Sequence, residues 1–122
     1  MDRIEVFTRQ SETPSGWNGF GRRLGFESAT VRLGETRIAP RAASPWHHHG
    51  LRTVYGFVVE GEVVFESGRA GRTRTRAARH EFFRIPGALV HRDVNPVDTE
   101  TLIVNLMVGE GPPTTDVSGP EE

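Results

Sequence analysis

Between Pro45 and Gly61 the chain reads Pro-Trp-His-His-His-Gly-Leu-Arg-Thr-Val-Tyr-Gly-Phe-Val-Val-Glu-Gly: a histidine run, a strand pattern, then a turn. Three of the five histidines stand side by side here, at His47, His48 and His49. On a strand, alternate side chains share a face, so His47 and His49 point together while His48 points away. A neutral imidazole offers a nitrogen lone pair at physiological pH and is the commonest side-chain metal ligand. A further histidine, His91, follows the Pro86-Gly87 turn. Two imidazoles from one strand and a third from elsewhere fill half of an octahedral sphere. The other half stays open to water, oxygen or substrate, as in a reaction centre rather than a closed structural site.

Outward from this stretch the chain reads as strands and turns. Gly (14) and Pro (8) recur throughout, and no window shows a clean helical period. The pattern predicts strands at Ile4–Thr8, Phe26–Leu33, Thr36–Ala39, Val54–Glu60, Glu62–Glu66, Thr73–Ala77, Glu81–Ile85, Val90–Asn95 and Thr101–Val108. The tightest hairpin signal is Val58-Val59-Glu60-Gly61-Glu62-Val63-Val64, where Gly61 can take the positive φ of a close turn. Many short strands at this spacing predict an all-β sandwich or barrel. Ser11–Arg23, polar and Gly-rich, reads as a loop or arm. The tail Gly109–Glu122, with Pro112-Pro113 and an acidic end, reads as extended and disordered beyond Val117.

Composition narrows the chemistry. A chain of 122 residues is one domain in size. The formal charge of −1 provides no global field for nucleic acid or an anionic membrane. With no cysteine, thiolate nucleophiles, disulfides and Cys-type zinc or iron–sulfur sites are excluded, and a metal must take N/O ligands. All fifteen basic residues are arginine, which excludes Schiff-base chemistry on lysine. Met1-Asp2-Arg3-Ile4-Glu5 lacks a signal-peptide pattern and no apolar run reaches spanning length, so a cytoplasmic location is expected.

Pro45–Gly61 followed by Ile85–Asn95 resembles the paired motifs of the cupin superfamily. The first motif is H-x-H, a short gap, a glutamate, then six residues and a glycine; His47, His49 and Gly61 match it. The second is G-x5-P-x-G-x2-H-x3-N; Pro86, His91 and Asn95 match at the right spacing, with His80 and Ala88 in the two glycine positions. The resemblance implies a double-stranded β-helix (cupin jelly-roll) barrel. It implies one domain over 1–122, with a core of about 26–108, an N-terminal arm 1–25 and a C-terminal tail 109–122. It also resembles a group of small bacterial cupins that are often dimers, so a homodimer is expected.

One departure bears on the metal. Val54 stands where the family's glutamate ligand would sit. The ligands implied are therefore His47, His49 and His91 alone, which resembles the three-histidine iron centres of the thiol- and diketone-oxidising dioxygenase cupins. Neutral ligands leave a divalent ion its full charge and favour an anion in the open positions. Glu60, Glu62 and Glu81 are the nearby carboxylates, the first two beside an exposed hairpin. By strand parity Val54 and Gly56 face inward with Val58, Gly56 leaving room for a ligand. Asn105, the one polar residue in an apolar strand, is expected to line the pocket, and Arg32 is a candidate to grip an anion. His48, of opposite parity, is expected to pack on Trp46 or hydrogen-bond behind a ligand. His80 reads as a surface turn residue. The arginines from Arg69 to Arg79 lack interleaved aromatics and read as a charged, solvated edge strand rather than a nucleic-acid surface.

These residues predict a metal-dependent enzyme holding one divalent ion, Fe(II) first, with Zn, Ni, Mn or Co as alternatives. The expected reaction is dioxygenase-like, on a small organic molecule. The alternatives are non-redox isomerase or lyase chemistry and a non-catalytic small-molecule-binding cupin. No nucleic-acid or membrane partner is expected.

Overall fold

The computed structural model describes residues 2–122. Eleven strands run in chain order: β1 (Thr13–Pro14), β2 (Phe20–Glu27), β3 (Val31–Ile38), β4 (His47–His48), β5 (Thr53–Glu60) and β6 (Glu62–Ser67). They continue as β7 (Thr73–Ala78), β8 (Phe82–Ile85), β9 (His91–Val94), β10 (Thr101–Val108) and β11 (Thr115–Asp116). One 3-10 turn, Arg69–Gly71, is the only helical element among the described residues, and none could cross a membrane. The strands form two antiparallel sheets, ordered β1-β2-β3-β10-β5-β8 and β11-β4-β9-β6-β7. Ile38, Val54, Val58 and Ile103 of the first sheet meet Val63, Phe65 and Ala77 of the second in a buried core.

The register of the first sheet fixes what its inner face presents. Arg22 stands opposite Thr36, Thr36 opposite Ile103, and Ile103 opposite Val58. In the next row Leu24, Gly34, Asn105, Gly56 and Phe83 lie side by side across five strands. Arg32, Met107, Val54 and Ile85 form a third. Because side chains alternate along each strand, these rows all point toward the second sheet.

Three boundaries differ from the sequence expectation. Ile4–Thr8 forms no strand: Ile4 and Val6 are exposed, and Phe7 packs on Phe26 with ring centroids 5.0 Å apart. The expected strand Phe26–Leu33 is a hairpin, turned at Ser28 with Ser28 N–H donating to Val31 O (2.8 Å). The strand before that turn begins at Phe20, inside the segment expected to be a loop, so the sheet starts earlier than residue 26. Its glycines disguise it: Gly25 sits at a bulge between Leu24 and Phe26, a common place for glycine in a strand.

The tail is also part of the fold. β11 pairs with the histidine strand, Asp116 opposite His47 and Thr115 opposite His48. Val117 N–H donates to Trp46 O (2.9 Å), and Ala70 N–H reaches Glu121 O (2.5 Å). Arg52, buried, donates from Nε to Gly111 O (2.8 Å). The expected edge strand is found at β7, where Arg74 pairs with Glu66 and Arg76 with Glu62.

Glycine is required at one turn above all. Gly61 has φ 77, and a Cβ there would lie 2.5 Å from Thr101 Oγ1 and 2.9 Å from Glu100 O. Gly111 also has positive φ, 95, but open space around it. Gly61→Ala should cost about 3 kcal/mol or more and Gly111→Ala about 1 kcal/mol, compared by denaturant unfolding. Equal losses at the two positions would show that Thr101 does not constrain the turn. Deleting residues 109–122 strips the partners from buried Arg52 and from His49. It should cost about 2–4 kcal/mol in the same assay, and a loss under about 1 kcal/mol would mean the tail is not integral.

Candidate metal centre

His47 lies on β4 directly opposite His91 on β9, and His49 follows one turn of alternation later. All three are buried, at 0%, 1% and 5% exposure. One nitrogen from each lies within 4.8 Å of the others. Their orientation is set by backbone carbonyls on the far side of each ring. Nδ1 of His47 lies 2.8 Å from Pro45 O, that of His49 2.8 Å from Pro113 O, and that of His91 2.9 Å from Leu89 O. A carbonyl can only accept, so each Nδ1 carries the proton and donates. In a neutral ring this leaves the lone pair on Nε2, aimed at the centre of the cluster.

Burial is the main reason the His47 imidazole is pushed below its ordinary pKa, and the same cause takes His49 down to about 4. Both are therefore neutral, with a lone pair to offer, at physiological pH. For His91 burial also pulls downward, but the facing Asp93 carboxylate outweighs it and holds the ring above its ordinary value.

Asp93 is the residue that sequence reasoning missed. Its Oδ1 lies 3.4 Å from His91 Nε2 and 4.0 Å from His47 Nε2. Burial would raise its pKa, yet His91, His47 and His49 together hold it below the usual carboxylate value. Oδ1 of Asp93 and Nε2 of His47 and His91 are all buried without a hydrogen-bond partner. Buried polar atoms are rarely left so, and three of them converging on one point match the donor set of a divalent cation. Donors at bond lengths of roughly 2.1 Å in an octahedron stand about 3 Å apart when adjacent, close to the His91–Asp93 spacing. The group whose ligand atoms all lie within 4.8 Å of one another is His47, His49 and His91, and Asp93 stands beside it as a nearby carboxylate. Val54 carries none, but strand parity places Asp93 beside His91 on β9. Of the other carboxylates considered, Glu62 pairs with Arg76, Glu81 accepts from Ala78 N–H, and Glu60 is exposed.

The histidines face a cavity of about 60 Å³ between the sheets, lined by Trp17, Val54, Phe65, Phe83, Asn105 and Met107 among others. Val54 and Asn105 line it as expected; Asn105 Nδ2 donates to Thr36 Oγ1 (2.8 Å). Arg32 reaches its rim but is held by Glu27 at 2.5 Å. Gly56 does not line it. A Cβ there would lie 2.0 Å from Phe83 Cζ, so the space that Gly56 vacates is filled by the Phe83 ring rather than left to a ligand. His48 bonds to neither neighbouring histidine: its Nδ1 accepts from Gly50 N–H (3.0 Å) and closes the turn. Asn95, buried, donates to Ile38 O, Ala39 O and Thr99 O and accepts from Val97 N–H, so its role is to tie the two sheets' connections together. His80 is exposed and holds φ 69, the left-handed conformation of the motif glycine it replaces, with its ring stacked on Phe57.

No protein-family model matches this chain, and no curated protein matches it. Solved structures do. An oxalate oxidase in complex with the substrate analogue glycolate is 25% identical, with a TM-score of 0.65 over 82% of this chain and 56% of that one. This chain thus spans a little over half the length of the oxalate oxidase. A double-stranded β-helix protein from Klebsiella pneumoniae superposes with a TM-score of 0.72 at 15% identity, covering 87% of this chain and 90% of its own. A cupin-2 domain protein from Rhodospirillum rubrum gives 0.69 at 17% identity, covering 92% and 74%. With those folds and its own two stacked antiparallel sheets, this chain has the double-stranded β-helix fold of the cupins, and its His47, His49 and His91 could hold a metal ion.

Proposed function

We infer that this cupin is a mononuclear metalloenzyme with oxygenase-like chemistry on a small organic molecule. The observation that carries the reading is the convergence of unpartnered Nε2 atoms of His47 and His91 and Oδ1 of Asp93 beside His49, at the wall of the cavity between the sheets. His47, His49 and His91 would hold one divalent ion, Fe(II) first, and Asp93 would add a carboxylate. When bound, the ion supplies a Lewis acid and access to one-electron chemistry with oxygen. The likeness to an oxalate oxidase at 25% identity supports that direction.

The chain's own contribution is orientation and exclusion of water. Three backbone carbonyls hold the imidazoles in one tautomer and rotamer, so little reorganisation is needed on binding. Val54, Phe65, Phe83, Ile85, Ile103 and Met107 keep the cavity wall apolar, which strengthens electrostatic interactions inside it. Among groups that could move a proton, Asp93 is the carboxylate nearest the histidines.

Metal content should be near one ion per chain in tag-free protein and fall at least tenfold in His91→Ala. Asp93→Ala should retain the ion more weakly, by about ten- to a hundredfold. Mass spectrometry of the dialysed proteins reads both, and metal unchanged in His91→Ala would sink the site. Iron-dependent oxygen uptake with a small acid, thiol or diketone would support oxygenase chemistry. Turnover without oxygen would select a non-redox lyase or isomerase, and ligand binding with no turnover in any metal form a non-catalytic cupin.

A further inference from the structure

We propose that Arg22 is the anchor for a small carboxylate ligand, so that the cavity takes a short organic acid with its carboxylate on Arg22 and its other oxygen toward the three histidines. This rests on the metal-site reading and names its substrate class. Arg22, on the inner face of β2, lines the same cavity as His47 and His49. Its guanidinium lies over the Trp17 ring, 4.9 Å from the centroid, and the same Trp17 ring packs against His47 with centroids 4.6 Å apart. Stacking fixes the guanidinium plane while leaving its edge N–H groups free to donate, the geometry that meets a carboxylate with two parallel hydrogen bonds.

Most of the other charged side chains at the cavity have partners. Arg32 is paired with Glu27, Glu35 with Arg9, and Arg23 donates to Gln10 O. Asp93 faces His91 and His47 with its Oδ1 unbonded, and Asp116, outside the cavity lining, accepts from Trp17 Nε1. Among the arginines that line the cavity, Arg22 alone makes no hydrogen bond to a carboxylate or a carbonyl, and the charges of Asp93 and Asp116 act on it only through space. Burial, then the charge of Arg32, holds its guanidinium below its ordinary pKa against the opposing pull of Asp93 and Asp116. An ion held by three neutral imidazoles and one carboxylate would keep a net positive charge, so both ends of the cavity would favour an anion. A volume of about 60 Å³ has room for roughly four to six water-sized groups, which limits the ligand to an acid of a few heavy atoms.

The test is titration of the Co(II)-loaded protein with glycolate, oxalate, neutral glycolamide and inorganic phosphate, followed by the visible Co(II) spectrum. Glycolate or oxalate should perturb the spectrum at concentrations at least tenfold lower than glycolamide or phosphate. Arg22→Met should weaken the acids at least tenfold with its ligand-free Co(II) spectrum unchanged, and Arg22→Lys should recover part of the loss. Arg32→Met should change binding less than threefold. Equal binding of the acids by Arg22→Met, equal binding of glycolamide, or preference for phosphate overturns the proposal. If no Co(II) spectrum forms, the metal reading fails by itself. Arg22 is then decided on metal-free protein, where the acids must raise the melting temperature of the wild type but not of Arg22→Met; no rise in the wild type overturns it.

Discussion

Three N–H donors on the outer side of the imidazoles govern what the inner side can do. A histidine with both nitrogens facing water can rotate, flip and change tautomer. His47, His49 and His91 cannot, because each Nδ1–H is spent on a backbone carbonyl. Two of those carbonyls, of Pro45 and Leu89, are two residues before the histidine they hold, so strand geometry alone supplies them. The third comes from Pro113, far along the chain, and reaches His49 only because β11 lies against β4. The tail, the histidine run and the facing strand β9 therefore form one unit. Without it the three lone pairs would have no reason to converge.

That dependence explains which parts were legible in the sequence. Alternation placed His47 and His49 together, and motif spacing brought His91 opposite them, because strand period and hairpin register are local rules. The turn at Gly61 and the charged edge strand β7 are local in the same way. The tail's place was not legible: Gly109–Glu122 is poor in apolar residues and rich in proline, and its bonds to the core are made mostly by main-chain groups, which no side-chain pattern reports. Nor was the start of the sheet at Phe20, because a strand interrupted by Gly21 and Gly25 looks like a loop until its partner strand is known. Gly56 shows the opposite error. A small residue on the inner face suggests room, but cross-strand pairing with Phe83 decides who takes it.

Asp93 was legible in principle. It lies two residues after His91, and the parity that joins His47 to His49 applies equally to His91 and Asp93. A family template that places the carboxylate near Val54 directs attention to the wrong strand. If Asp93 joined the three histidines on an ion, a carboxylate on β9 in place of one on β5 would keep the charge of the donor set while leaving the β5 position to the apolar Val54. The cavity wall opposite the histidines is then free of any ligand duty and can vary with the ligand.

The two sheets accordingly divide the work. The second sheet carries the histidines and Asp93, held by main-chain bonds that any side-chain sequence of the right fold could make. The first sheet carries residues that line the cavity: Arg22, Thr36, Asn105, Phe83 and Met107 in adjacent rows. Motif resemblance reads the second sheet and is silent on the first, which is why it identifies a metal-binding fold without identifying a substrate. The discriminating feature here is a cation on β2, seated on Trp17 and without a hydrogen-bonded carboxylate. A guanidinium in such a place costs free energy while its donors lack a protein acceptor, and part of that cost is recovered when an anion arrives. The preference for a small acid therefore resides in the sheet that motifs do not describe.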